Sequence, residues 1–291
     1  MADTKQILLR IRKLELKTKK LVEGLLQGAY HSIFKGRGIE FSDVREYVYG
    51  DDVRSIDWNI TARMNHPYIK EFIEERDLNV VLVFDVSASS EFGTQKEKRE
   101  SAIEIAASLA FAAMRNNDNV GLILFTDKVE RFIPLRKGKR HILKLIRELI
   151  YYKAKNKSSN LKNSLDFLKI LKKRAIIFIM SDFFVEGNYT KALKLIKRRH
   201  DVIAINMSDI REQEIPDIGY VELEDSETGE QILVDTSDKE FRKEYVRLVK
   251  KRNKSFTQKM RKLGIDSIQL LSGESFEVPL KKFFAMRIRR L

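Results

Sequence analysis

The chain has 291 residues, 56 Lys+Arg against 42 Asp+Glu, 4 His and no Cys, for a formal net charge of +14. The absence of Cys excludes a disulfide framework, thiolate catalysis and Cys-ligated zinc, and a chain of this length buries enough surface to need no such staple. The apolar run Ala175–Met180 is a strand's length, far short of the ~18 residues of a membrane span, and Met1–Lys5 opens no continuous apolar signal core, so a cytoplasmic protein is expected.

Residues 5–27 read as one amphipathic helix, with Ile7, Ile11, Leu14, Leu21 and Leu25 at helical spacing and Thr18 interrupting the stripe. Docking on the chain's own core is the first expectation; a basic helix lying on a membrane surface is the alternative. Residues 34–75 predict a small β-containing element, too aromatic for a disordered linker. It holds a Gly-punctuated turn at Phe34–Gly38, a strand within Glu40–Tyr49, a turn at Gly50-Asp51-Asp52 and a second strand from Tyr68 to Ile73. Asp51, Asp52 and Asp57 read as turn caps or partners of Arg45, Arg54 or Arg63, with a second acidic site as the alternative. Trp58 reads as a packing anchor.

From residue 77 the pattern alternates between strand and helix. Strands are expected at 78–84, 120–125, 175–180, 202–207 and 267–271, with an edge strand at 128–134. Helices are expected at 96–115, 141–154, 160–173, 189–199, 239–263 and near 279–286, and a hairpin at 219–236 turns through an acidic, solvated tip. Near-continuous apolar strands separated by helices predict a doubly wound, mostly parallel α/β sheet covered on both faces. It would occupy residues 77–291, with residues 1–76 forming the helix and small element before it.

In such a sheet, ligands sit beyond the carboxyl ends of the strands where the strand order reverses. With strand order 3-2-1-4-5-6, the flanking strands end at Asp85-Val86-Ser87-Ala88-Ser89 and at Ser181-Asp182. Carboxylates and hydroxyls with neither Cys nor His suit a hard cation, Mg²⁺ first, then Mn²⁺ or Ca²⁺. By itself the Asp-x-Ser-x-Ser spacing reads first as an ordinary Asx or Ser/Thr turn; Asp182 at the matching strand end brings the metal reading level with it.

The same segment after an apolar strand resembles the metal-ion-dependent adhesion site of von Willebrand factor A domains. That resemblance implies a further hydroxyl from a loop opening a helix, here Ser159 in Lys157-Ser158-Ser159-Asn160-Leu161, and a final acid at Asp182. Ser159 stands where Thr is usual, and the loop lacks the usual glycines. A longer match lies in Gly36–Phe41, Asp43–Tyr47, Gly50–Trp58 and Ala62-Arg63, joined by Ile215–Gly219 and Glu224–Gly229. These blocks resemble a bacterial domain-of-unknown-function family with a von Willebrand factor A-like core, commonly encoded beside MoxR-type AAA+ ATPases.

What the resemblance implies is a metal-dependent protein-binding module rather than an enzyme. Its Mg²⁺ would be held by Asp85, Ser87, Ser89, Ser159 and Asp182, and would meet a carboxylate of a MoxR-type ATPase or of that ATPase's client. Two other classes stay open. A charge of +14 admits nucleic-acid binding, although basic residues spread from Lys5 to Lys282 read first as solvated surface. A bound metal also admits hydrolysis, although His31, His66, His141 and His200 form no motif and Arg136–Arg140 is no phosphate loop.

Overall fold

The computed structural model describes residues 4–21, 39–74, 78–91, 98–184, 188–225 and 227–290. The Phe34–Gly38 turn and the end of the N-terminal stripe, including Leu25, lie outside the described residues. Helix α1 spans Thr4–Leu21. Strands β1 (Ile39–Glu46) and β2 (Tyr68–Glu74) pair antiparallel, and the short helix α2 (Trp58–Met64) lies between them in the chain. Strand β3 (Asn79–Asp85) then opens the main sheet and leads into helix α3 (Lys98–Arg115). Strands β4 (Asn119–Phe125) and β5 (Val129–Arg136) follow, then helices α4 (Lys139–Tyr151) and α5 (Leu161–Phe167). Next come β6 (Ile176–Ser181), α6 (Thr190–Arg199), β7 (Asp201–Ser208) and the single turn α7 (Ile210–Gln213). A hairpin of β8 (Tyr220–Glu224) and β9 (Gln231–Asp235) precedes the long helix α8 (Lys239–Leu263), β10 (Asp266–Leu271) and α9 (Glu277–Ile288).

The six-stranded sheet runs β10-β7-β6-β3-β4-β5, parallel throughout except for the antiparallel edge strand β5. Counted by first appearance, this is the predicted order 3-2-1-4-5-6. The β3 side chains alternate between two cores, as a period of two requires. Val80, Leu82 and Phe84 join one cluster with α3, α4 and α9, while Val81 and Val83 join the other with α5, α6 and α8. α3 is buried around nearly its whole girth, Ala102, Ala106, Ala110 and Ala113 letting it approach the sheet closely. α4 buries Ile142, Leu145, Ile146 and Leu149 on one face. α8 is capped by Asp238, which accepts from Glu240 N at 2.8 Å, and is stopped by Gly264 at φ 66°.

α1 packs on this core. Ile11 is 6% exposed within the first cluster, and Lys17 pairs with Glu104 of α3 at 2.7 Å. Thr18, which breaks the apolar stripe, is buried with its hydroxyl bonded back to Leu14 O and Glu15 O. The docked reading of this helix therefore describes its visible face. No helix among the described residues is long and apolar enough to cross a membrane.

The β1–β2 element matches its predicted strands. Asp51 is held by Arg45 through two 2.8 Å hydrogen bonds, whose strength draws its carboxyl down to about 2. Asp52 and Asp57 cap the short helical turns that follow them. Trp58 corrects its expectation: it is 67% exposed, because seven-residue α2 buries none of its side chains. The predicted helix over 160–173 also ends early, at Phe167, and passes through a 3₁₀ turn to Ile170.

Candidate functional site

The chain leaves β3 toward β4 and β5 on one side and returns through β6, β7 and β10 on the other, so the strand order reverses between β3 and β6. Asp85 ends β3 and Ser181 ends β6, which brings both side chains to this switch point. Asp85 is 4% exposed, and its carboxylate accepts four hydrogen bonds. Ser87 N (3.0 Å) and Ser87 Oγ (2.6 Å) donate to Oδ1; Ser159 Oγ (2.8 Å) and Ser181 Oγ (2.9 Å) donate to Oδ2. Ser89 Oγ stands 3.2 Å from Ser87 Oγ. Four of the five candidate residues, Asp85, Ser87, Ser89 and Ser159, thus form one hydrogen-bonded set.

Asp182 lies beside this set rather than within it. Its Oδ1 accepts from Phe184 N at 3.0 Å, and its Oδ2 faces Lys98 Nζ at 3.4 Å. With Asp85, Ser89, Lys98 and Arg99 it lines a cleft of about 290 Å³. Ser181, absent from the candidate set, supplies the hydroxyl that bonds Asp85 and also accepts from Phe183 N at 3.0 Å. Phe183 takes a left-handed φ of 53° while its ring packs against Phe256, a backbone strain of about 1–3 kcal/mol for a non-glycine residue. Phe184, next along, is 67% exposed, with the Arg252 guanidinium 5.0 Å from its ring centre.

The loop before Ser159 lacks glycines, so side chains hold its shape instead. Glu130 of β5 accepts from Thr126 Oγ1, Tyr152 OH, Lys155 N and Asn156 N. Burial pushes the Glu130 carboxyl up, but those donors outweigh it and leave the group below its ordinary value. Tyr152, half-buried against this carboxylate and hydrogen-bonded to it, is pushed up to about 12. Asn160 N donates to Thr126 O, Ala88 N donates to Lys157 O, and Asn163 Nδ2 donates to Asp127 O. The loop carrying Ser159 is thereby tied to both the Asp85 turn and the β4–β5 turn. Glu130 was not singled out from the sequence; its partners are backbone amides 25 and 26 positions away, a relation no local spacing encodes.

The charges leave Asp85 uncompensated. Burial, then the charge of Asp182, raise its carboxyl above the ordinary value. The buried ammonium of Lys98 is spent on Glu212 at 2.7 Å and on Asp182, and among the described residues no cation forms an ion pair with Asp85. A buried carboxylate held only by neutral donors favours a cation beside it. Each serine that donates its proton to Asp85 keeps lone pairs on its oxygen. The donors are all oxygens, which fits a hard divalent cation. Among the described residues no three His, Asp or Glu side chains gather as a metal-holding group, so an ion here would depend on hydroxyls as much as on carboxylates.

The described histidines serve elsewhere. His200 Nδ1 accepts from Ala175 N at 3.2 Å, and burial, with Arg199 and Arg174 nearby, lowers its pKa. His141 Nε2 bonds Val120 O at 2.8 Å, and His66 is exposed. The acidic tip of the β8–β9 hairpin is solvated as expected at Glu224, Asp225 and Thr228 to Glu230, while Glu227 alone among its described residues is half-buried and accepts from Ser159 N at 3.1 Å.

Comparison with known proteins places this architecture. The chain is 30% identical over 292 residues to the uncharacterized protein Rv1480 of Mycobacterium tuberculosis, covering 99% of this chain and 92% of that protein. Over 108 residues it is 28% identical to the uncharacterized protein YeaD of Bacillus subtilis, covering 37% of this chain and 25% of that one. The solved structure of an aerotolerance-related membrane protein from Bacteroides fragilis, carrying multiple mutations to serines, aligns with TM-score 0.51 at 15% identity. It covers 74% of this chain and 100% of that chain, a likeness of fold. A family model described as "Protein of unknown function DUF58" matches residues 43–255, and the chain belongs to this family.

Proposed function

We propose that the chain is a metal-dependent protein-binding module that works without catalysing a reaction of its own. Mg²⁺ is the ion this reading assigns, held by Asp85, Ser87, Ser89 and Ser159, with Asp182 as the second acid. When bound, the ion supplies an electrophilic position that a partner's Asp or Glu fills. The single observation that supports this is the Asp85 carboxylate, 4% exposed, surrounded by serine hydroxyls and without a cationic partner among the described residues.

The chain's own residues have distinct parts in this reading. Asp85 gathers Ser87, Ser159 and Ser181, and Lys98 balances the charge of Asp182 and Glu212. The partner proposed, through the family resemblance, is a MoxR-type AAA+ ATPase or a protein it remodels. Capture of a purified MoxR-type ATPase from the same organism tests this. Binding in Mg²⁺ that is lost in chelator and lost in Asp85→Ala supports the reading; equal binding under all three conditions overturns the metal bridge.

A further inference from the structure

Helix α8 is longer than the strand it feeds. Its 25 residues rise about 38 Å, whereas the 6 residues of β10, joined to it through Gly264 and Ile265, span about 20 Å. Gln269 Nε2 of β10 fixes the register, donating to Asn253 O at 3.3 Å and to Thr257 Oγ1 at 3.1 Å. Phe256 and Met260 pack on the sheet, so the turns before Asn253 run past the carboxyl ends of the strands, the side on which the Asp85 crevice lies. There α8 leans on α7: Tyr245 OH donates to Glu212 O at 3.2 Å, and Asn253 Nδ2 to Gln213 Oε1 at 3.0 Å. Arg252 lies 5.0 Å from the ring centre of Phe184, whose N donates to Asp182 of the cleft at 3.0 Å.

This projecting stretch is one-sided in charge. From Tyr245 to Ile265 the chain has eight basic residues and no acid. The two acids earlier in the helix are already engaged, Glu240 by Lys243 at 2.8 Å and Glu244 by Arg247 at 2.7 Å. Lys250, Lys251 and Lys254 are exposed, and among the described residues none of them forms an ion pair. Exposed lysines need no partner by themselves. Here they flank large apolar side chains left in water: Leu248, one turn before Arg252 on the same helix face, is 52% exposed, and Phe184 is 67% exposed.

We propose that this stretch of α8, with Phe184, docks an acidic segment of a protein partner. Its carboxylates meet Lys250, Lys251 and Lys254, and its apolar side chains cover Leu248 and Phe184. Charge complementarity selects an anion, and the apolar positions select a peptide. A nucleic acid carries a charge at every phosphate and would set some of them against Asp182 and Glu212 next to this surface, whereas a peptide can space its acids to avoid them. The surface uses no ion, so it holds or fails separately from the metal bridge. A partner held at both places gains affinity from the linkage.

The experiment uses the full chain in chelator, with a fluorescein-labelled synthetic peptide of glutamate and leucine as the probe and anisotropy as the readout. Lys250→Glu/Lys251→Glu/Lys254→Glu should weaken binding about tenfold, and Leu248→Ser/Phe184→Ser about threefold. Lys250→Gln/Lys251→Gln/Lys254→Gln, which removes the charge without reversing it, should fall between wild type and the reversal. A matched reversal on the other face of the sheet, Arg140→Glu/Lys144→Glu/Arg147→Glu on α4, should stay within about twofold of wild type, and Asp85→Ala should bind as wild type does. Thermal melts establish that each variant is folded. Equal losses in the α4 and α8 reversals would show attraction by net charge alone and overturn the surface, as would absence of binding to wild type; neither result touches the Asp85 site, since no ion is present. Tighter binding of duplex DNA or of phosphatidylserine vesicles than of the peptide, lost in the same α8 variant, would give the surface to another partner and overturn the peptide reading.

Discussion

Ser159 Oγ donates to Asp85 Oδ2 at 2.8 Å, joining residues 74 positions apart in the chain. The bond closes the switch-point crevice from the side of α5, while Ser181 closes it from the side of β6. Ser159→Ala should therefore lower Mg²⁺ affinity about tenfold, ~1.4 kcal/mol, and cost about 1 kcal/mol of stability. Ser159→Thr, which keeps the oxygen, should retain both. Calorimetric titration and urea unfolding of the two variants check this; equal metal affinity in wild type and Ser159→Ala would remove Ser159 from the ligand set.

The raised pKa of Asp85 has a defined consequence for the metal-free protein. Between the unfolded and folded values the folded chain holds more protons at this group, so its ionisation opposes folding and that penalty eases as pH falls through the interval. Asp85→Asn should melt higher than wild type at neutral pH without metal, with the gap narrowing on acidification. Mg²⁺ affinity of wild type should fall over the same range as protons compete for the carboxylate. Thermal melts from pH 7 to pH 4 measure both; an Asp85→Asn variant less stable than wild type at pH 7 would contradict the charge argument.

Glu130 is a positioning residue. Glu130→Ala leaves Lys155 N and Asn156 N without their acceptor, and should cost about 1–3 kcal/mol and weaken metal binding although every ligand remains. Glu130→Gln should restore part of the metal affinity through its amide oxygen. The Tyr152 phenol gives an independent signal. In wild type it should ionise near its shifted value of about 12, and in Glu130→Gln clearly lower. An ultraviolet pH titration distinguishes the two.

Lys98, 2% exposed, is the buried counter-charge of the crevice. Lys98→Met should destabilise the fold by about 1–3 kcal/mol, less than a fully buried pair because Glu212 and Asp182 retain some solvent. It should also tighten Mg²⁺ binding severalfold, since the ammonium no longer offsets the carboxylates. Lower stability with tighter metal binding is the signature; weaker metal binding at equal stability would show that Lys98 orders the ligands instead.

Much of this arrangement was legible in the sequence because apolar runs such as Val80–Phe84 and Ile176–Met180 admit only buried strands, and strand order then locates the crevice. Asp85, Ser87, Ser89 and Asp182 followed from strand ends, while Ser159 came only through family resemblance. The unread parts are tertiary. Glu227 looked like a wet turn because nothing in Glu224–Glu230 tells where its hairpin folds back. Trp58 looked buried because its size favours burial, but a two-stranded element with a seven-residue helix has little interior to offer it. Ser181 was adjacent to a chosen residue and was passed over because a lone serine at a strand end carries no distinguishing pattern.

The central claim is that Asp85 and its serines hold a divalent cation. Titration of Mg²⁺ into metal-free wild type and Asp85→Ala, followed by calorimetry at neutral pH, tests it most directly. The account predicts one saturable site in wild type that disappears in Asp85→Ala. Absence of that site in wild type, or its persistence in Asp85→Ala, would contradict it.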